Sequence, residues 1–371
     1  MKTRPESLTW KNAVAWHLRR QHLDRRLPHT KLLQLTSELC GLHAQVMSSA
    51  EITALCRIDG LQPDDFSRTL WTDRKLIKTW AMRCTLHLLP ASEYAQWLAA
   101  FRGLRGTYGE AWFRYYDVTL EELNLITEAC GQATRGRLLT REQLADELVR
   151  LTGIGKAREK LRMGWGSLLK PACFRGYLCF GPNKGQNAQF MHPEIEPDSA
   201  SADDFVARRY FAAYGPATEA DFARWFYGGR KTMRTMMAAL GDELAEVDVE
   251  GTQAWMLRKD VRAARQTEPV RTVRLLPAFD QYVFAGGLRS GQLLPGDFHK
   301  RVYRNQGWFS PVLLVDGRMD GVWNFQRRGK ALHVTIEPFL AVPRRVKSAA
   351  EEEAERLAQY MRRTLELTWQ R

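Results

Sequence analysis

Trp10, Val14 and Leu18 fall on one face of a helix over 10–20, with Ser7 or Thr9 placed to cap its start. Leu32, Leu33, Leu35 and Leu39 predict a second helix over about 30–40 that stops near Gly41, where a left-handed residue costs least. A third begins at Asp64, after Pro63, and ends near Trp71. The apolar period then shortens to two. Leu76–Ala81 and Cys84–Leu89 read as strands, closed by Pro90, which cannot donate to a ladder. Helix, helix, helix, hairpin is the element order of a winged helix.

That order recurs without a strict sequence period. Leu120–Gly131 is periodic, and Thr140 heads TREQLADELVRL with Gln143 at capping-box spacing. A basic segment, Arg158–Cys173, follows. Two apolar strands then flank Gly181-Pro182-Asn183-Lys184-Gly185, a hairpin signal. A third round follows the polar linker Glu194–Asp204. It holds ADDFVARRYFAAYG, a helix capped by Thr218, a helix over Lys231–Leu240, and strands around Glu243–Val249 and Ala254–Arg258. From about 267 the pattern changes: Val270–Leu276, Pro311–Val315, Gly321–Phe325 and Leu332–Glu337 read as strands. A helix with the acidic start Ala349–Glu355 is expected to run to Trp369, its carboxylates suiting the N-terminal end of the macrodipole. The chain therefore reads as α+β. Three helical-plus-wing units span 1–118, 119–197 and 198–262, and a β-rich module with a terminal helix spans 263–371.

A chain of 371 residues with 44% hydrophobic and 26% charged residues can bury a large core. It has no apolar run of ~18 residues and no leader-like N-terminus, so a cytoplasmic, nucleoid-associated protein is expected, with no membrane partner. Its six cysteines form no C-x-x-C and pair with no histidine at zinc-finger spacing, so they are expected to be reduced and buried. Charge is more informative. Lys+Arg 55 against Asp+Glu 42 gives +13, and 41 of those cations are Arg. Residues 150–184 carry eight cations against Glu159 alone, a net +7; residues 299–330 carry seven against Asp316 and Asp320, a net +5. Clustered positive charge is the footprint of a nucleic-acid binder, and a solvated basic face is the plainer reading of either run taken singly.

The sequence contains no P-loop, no H-E-x-x-H and no G-x-S-x-G, and nothing in it requires a cofactor or a metal. Two short segments hold candidate chemistry. In Leu39-Cys40-Gly41-Leu42-His43-Ala44-Gln45, an extended chain after Gly41 points His43 and Gln45 the same way, because strand side chains repeat every two residues. On a continuing helix they diverge by about 200° and make no site. By spacing alone, a capping or surface pair is the simpler account. In Lys78-Thr79-Trp80-Ala81-Met82-Arg83-Cys84-Thr85-Leu86-His87, Lys78, Trp80 and Met82 alternate with Thr79, Ala81 and Arg83. Trp80 then packs as core or meets DNA, and Arg83 contacts phosphate. His17, His22 and His29 lie in the basic N-terminal helices and are expected to be solvated.

Taken together, LHAQ with Arg57 shortly after, KTWAMRCTLHLLP, RYFAAYGPATEADFARW, LLPAFDQYV and VDGRMDGVW resemble the AlkZ-like (YcaQ-related) winged-helix DNA glycosylases over nearly the whole chain. The resemblance implies tandem winged-helix units forming a concave DNA-binding scaffold. It also implies excision of alkylated bases, including bulky N7-guanine adducts and crosslinks left by DNA-damaging natural products, a self-resistance activity. The family's Gln-Φ-Gln or Gln-Φ-Asp motif matches His43-Ala44-Gln45, as a His-Φ-Gln variant. Its R-G-T-L-H segment matches here with Cys84 in place of glycine.

The implied reaction is hydrolysis of the N-glycosidic bond of an alkylated purine in duplex DNA. An N7-alkylated guanine already carries positive charge, so it leaves as a neutral base and needs little general acid. Catalysis then requires a water held at the anomeric carbon. Neutral His43 is the expected acceptor, pulled below its ordinary pKa by cations such as Arg57, with an acid limb in the rate. Gln45 orients the water. Arg57, Lys78, Trp80, Arg83, Arg158, Lys160, Arg162 and Lys184 are the expected DNA contacts. No lysine neighbours His43 along the chain, Lys31 and Lys75 being distant, so no lyase step is expected. The protein is expected to act as a monomer, with duplex DNA carrying alkylated bases as its partner and no obligate protein partner. The alternative from another class is a non-catalytic winged-helix DNA-binding protein or regulator; a weaker one is sequestration of a DNA-reactive drug.

Overall fold

The structure, a computed structural model, describes residues 5–370 apart from 103–107, 164–165, 286, 288–289 and 295. The first helix runs Trp10–Arg20 as expected, with Thr9 and Asn12 forming a capping box. The second, Leu32–Glu38, ends where Cys40 (φ 60°) and Gly41 (φ 96°) reverse the chain. A Cβ on Gly41 would lie 2.7 Å from Leu89 Cδ2 and 3.0 Å from the Leu88 carbonyl oxygen, so the close approach of the chain to the Leu86–Pro90 strand needs glycine here. A helix over Met47–Leu55 was not expected. Ser49, Ala50, Ile52, Thr53, Ala54 and Leu55 are all buried, so its sequence shows no one-sided apolar stripe. The helix expected from Asp64 is shorter, Pro63–Ser67, and continues as a π-helical stretch, Arg68–Thr72.

The two expected N-terminal hairpins form, and they join. Leu76–Trp80 pairs with Leu86–Pro90, Cys179–Lys184 pairs with Asn187–Met191, and a Lys78–Phe180 bridge links them. Leu42–His43 borders the first hairpin and Leu139–Thr140 the second, giving one six-stranded sheet. A large core beneath it packs Ile77, Trp97, Ile126, Phe190, Phe222 and Trp225 together, so apolar packing crosses 118/119 and 197/198.

The third round contains helices Asp203–Tyr214, Glu219–Phe226 and Arg230–Ala238, then a hairpin of Leu244–Val249 and Thr252–Leu257. Glu6–Leu8 adds to it as a parallel edge strand. The C-terminal module is a five-stranded sheet: Val273–Leu276, Val312–Val315, Arg318–Arg328, Ala331–Pro338, Thr364–Trp369. Its helix runs Arg344–Tyr360 rather than from Ala349 to Trp369. The tail TLELTW alternates with period two and pairs as a strand with Ala331–Ile336, a pattern that overrides the helical reading. This module shares a second core with the first unit, in which Leu35, Leu42 and Ile52 meet Leu275, Tyr282 and Trp323. The Leu42–His43 strand thus lies at the seam between the sheet and the C-terminal module.

Cys40, Cys56, Cys130, Cys173 and Cys179 are free and buried, as expected; Cys84 is half-exposed.

Candidate active site

The chain past Gly41 is extended. His43 pairs across the sheet with His87, and the Ala44 N–H donates to the Leu86 carbonyl at 2.7 Å, which continues the ladder. Ala44 therefore turns into the core while His43 and Gln45 line one cleft of about 480 Å³, a size typical of ligand sites.

His43 is clamped. Its ring stacks on Phe279 at 4.8 Å and 22° and meets His87 edge-on at 5.3 Å. It is 7% exposed, and its Nδ1 finds no hydrogen-bond partner among the described residues. Burial, with Arg83 close by, pushes its pKa down to about 3, so the imidazole is neutral at physiological pH. Gln45 is exposed, and its Oε1 accepts the Leu86 N–H at 3.3 Å, which fixes the amide plane.

Arg83 holds the neighbouring wall. It donates to the Trp225 carbonyl at 2.8 Å, lies 3.1 Å from His87 Nε2, and sits 4.0 Å above the Phe284 ring. Because Arg83 can only donate, His87 Nε2 is the acceptor, and His87 Nδ1–H donates to the Thr85 carbonyl at 3.0 Å. Burial, Arg83 and His43 together keep the His87 pKa well below its ordinary value. Arg83 itself falls to about 10 through burial and stays charged at neutral pH.

The opposite wall comes from Phe279-Asp280-Gln281. Phe279 adopts φ 62°, a left-handed conformation that costs a non-glycine residue about 1–2 kcal/mol. It is held there from both sides. Gln281 donates to the Gly41 carbonyl at 2.6 Å, and Asp280 receives both terminal nitrogens of Arg57 at 2.8 Å.

Arg57 is therefore not a DNA contact. It is fully buried, and two further donors reach the Gln21 and Thr53 carbonyls, so it offers no surface to a phosphate. It welds the Met47–Leu55 helix to the segment that positions Phe279. Nor is it the cation beside His43; that is Arg83. Trp80, 4% exposed, packs edge-on against Phe180 and walls the cleft, which leaves it no groove-facing surface. Arg83 is spent on the wall as described, not on an open surface. Lys78 is half-buried 5.5 Å from the Phe180 ring centroid. Arg158, Lys160, Arg162 and Lys184 lie outside the cleft lining. Arg158 pairs with Asp146 at 2.8 Å, Lys160 donates to the Tyr115 carbonyl at 3.3 Å, and Arg162 and Lys184 are exposed.

Sequence reasoning missed Phe279, Phe284, Trp308 and Lys170, which all line the cleft. LLPAFDQYV contained the signal for Phe279. Nothing along the chain marks Lys170 as a residue of this cleft, which it nonetheless lines together with His43.

The family model described as DNA glycosylase AlkZ-like matches residues 36–360, a span that includes both walls of this cleft. The chain belongs to the AlkZ-like DNA glycosylase family. It is 35% identical over 361 residues to the interstrand DNA cross-link repair glycosylase of Streptomyces sahachiroi, covering 94% of this chain and 96% of that one. The solved structure of Streptomyces sahachiroi DNA glycosylase AlkZ superposes with a TM-score of 0.87 at 34% identity, covering 98% of this chain and all of the other. The protein is thus a DNA glycosylase, a hydrolase acting on N-glycosyl bonds, and the non-catalytic reading is set aside. No carboxylate is among the described residues that line the cleft.

Proposed function

We propose that this glycosylase hydrolyses the N-glycosidic bond of cationic alkylated purines, N7-alkylguanine above all, in duplex DNA, and leaves an intact abasic site. The observation that carries this reading is the cleft's chemistry: a neutral imidazole and an amide, with no carboxyl group among the described lining residues to protonate a leaving base or to drive off a stable one. A neutral purine needs protonation to leave; an N7-alkylated guanine is already cationic and departs with the bonding pair as a neutral molecule. Water then adds to the oxocarbenium-like sugar. A base with pKa about 3 accepts little proton charge at neutral pH, so His43 acts mainly by accepting a hydrogen bond from that water and aiming it. Gln45, its amide plane fixed by Leu86, supplies a second polar contact. The water gives up its proton readily once bonded to the cationic sugar.

The same reading takes the three units 1–118, 119–197 and 198–262 as tandem winged helices with the β-rich C-terminal module beside them. Arg158, Lys160, Arg162 and Lys184 contact phosphate there, and surface ion pairs such as Arg158–Asp146 exchange easily for it. Lys170 is the lysine to which any lyase step would belong. Borohydride trapping of a protein–DNA adduct that disappears in Lys170→Ala would contradict simple hydrolysis. The direct test is incubation with duplex containing N7-methylguanine: free base and an alkali-labile abasic site are expected, and an intact duplex refutes the proposal.

A further inference from the structure

The hairpin that supplies Arg83 and His87 turns in an unfavourable way. Thr85 N–H donates to the Met82 carbonyl at 3.2 Å, and both residues inside that turn are left-handed, Arg83 at φ 56° and Cys84 at φ 54°. Turns of this kind favour Asn-Gly, because a Cβ crowds the backbone at positive φ. Arg83 has a visible reason to bear the strain, since its guanidinium holds the Trp225 carbonyl and His87 and covers Phe284. Cys84 has none of that kind. Its side chain is half-buried and lines the cleft with Gln45, Thr85 and Lys170. Burial raises the thiol pKa against the pull of Lys170, so the group is a neutral, compact, weakly polar body and not a thiolate nucleophile. What it contributes there is volume.

We infer that Cys84 is a specificity-determining residue: held into the cleft by the left-handed turn, its side chain limits the size of the substituent that an extruded alkylated base brings in. This rests on the proposed base-excision reading. Removing the sulfur enlarges the cleft where the turn meets Gln45, and Cys84→Gly also relieves the positive-φ strain.

The test compares single-turnover release of N7-methylguanine and N7-benzylguanine from otherwise identical duplexes by wild type, Cys84→Ala and Cys84→Gly. The ratio of benzyl to methyl release is expected to rise at least fivefold in both variants; a ratio within twofold of wild type in both overturns the inference. Because misfolding lowers both rates together, the ratio is insensitive to it. A second measurement uses the native chain. The other five cysteines are buried, so at mildly alkaline pH, where a small thiolate fraction forms, N-ethylmaleimide adds at Cys84, the sulfur joining one carbon of the double bond and a proton the other. Release of the benzyl adduct is expected to fall before that of the methyl adduct, with Cys84→Ala immune; equal loss of both, or loss in Cys84→Ala, overturns the assignment. A wild-type chain that releases neither base overturns the parent reading, whereas methyl release with an unmoved ratio removes only the role of Cys84.

Discussion

The rate of base release should be flat in pH where an ordinary histidine would titrate. A free histidine with pKa ~6.5 is about 97% protonated at pH 5, so an enzyme relying on it neutral loses roughly thirtyfold between pH 8 and pH 5. In the cleft, desolvation disfavours the imidazolium and the Arg83 charge disfavours it further, and both lower the pKa, to about 3. At that value only about 1% is protonated at pH 5, and the rate changes by about one per cent. Bound phosphates act the other way. That opposing pull starts from a value far below neutrality, so it brings no limb near pH ~6.5. The assay is single-turnover release of N7-methylguanine from pH 5 to pH 8.5 by wild type and His43→Gln. Both should be flat. A one-proton limb with midpoint near 6.5 in wild type, absent in His43→Gln, would refute the buried neutral imidazole.

Acid should destabilise the fold through the same group: the folded pKa lies below the unfolded one, so the unfolded chain takes up the proton as pH falls through ~6.5. His43 should remove about 2 kcal/mol by pH 5, with His87 acting in the same direction; urea unfolding of His43→Gln should lack that share of the loss. Arg57→Ala strands a buried carboxylate and should cost about 3–5 kcal/mol in urea unfolding, while the folded fraction binds undamaged duplex as wild type does. A tenfold loss of duplex affinity in folded Arg57→Ala would restore it as a DNA contact. Replacing Arg158, Lys160 and Arg162 together by Ala should weaken damaged and undamaged duplex alike and flatten the log–log salt slope by about two to three, read by anisotropy titration; an unchanged slope removes the segment from the interface. Gln45→Ala should slow release at least tenfold with unchanged duplex affinity, because its role is orientation.

The amphipathic helices and the hairpins were legible because each hides one face. Of the expected stripe Leu18 is buried while Trp10 and Val14 are half-buried, and Thr9, Thr140 and Thr218 cap where their sequence contexts say. The Met47–Leu55 helix was not legible, because burial on nearly every side erases periodicity. TLELTW was misread because its partner strand lies more than thirty residues earlier, and only that pairing decides between strand and helix frays. In the site, the step of two between His43 and Gln45 was readable once Gly41 ended the helix. Arg57 was misassigned because the chain gives no sign that Asp280, 223 positions on, takes its guanidinium. The aromatic wall of Phe279 and Trp308 and the approach of Lys170 are likewise products of tertiary packing.

The central claim is that His43 and Gln45 serve hydrolysis of a cationic base in this cleft. Mass-spectrometric quantification of free N7-methylguanine from duplex, single turnover, for wild type, His43→Ala, Gln45→Ala and the double variant tests it most directly. The expected result is rapid release by wild type, a large loss in each single variant at unchanged duplex affinity, and a double variant little worse than the poorer single. Release at the wild-type rate by both single variants would contradict the claim and place the chemistry elsewhere in the fold.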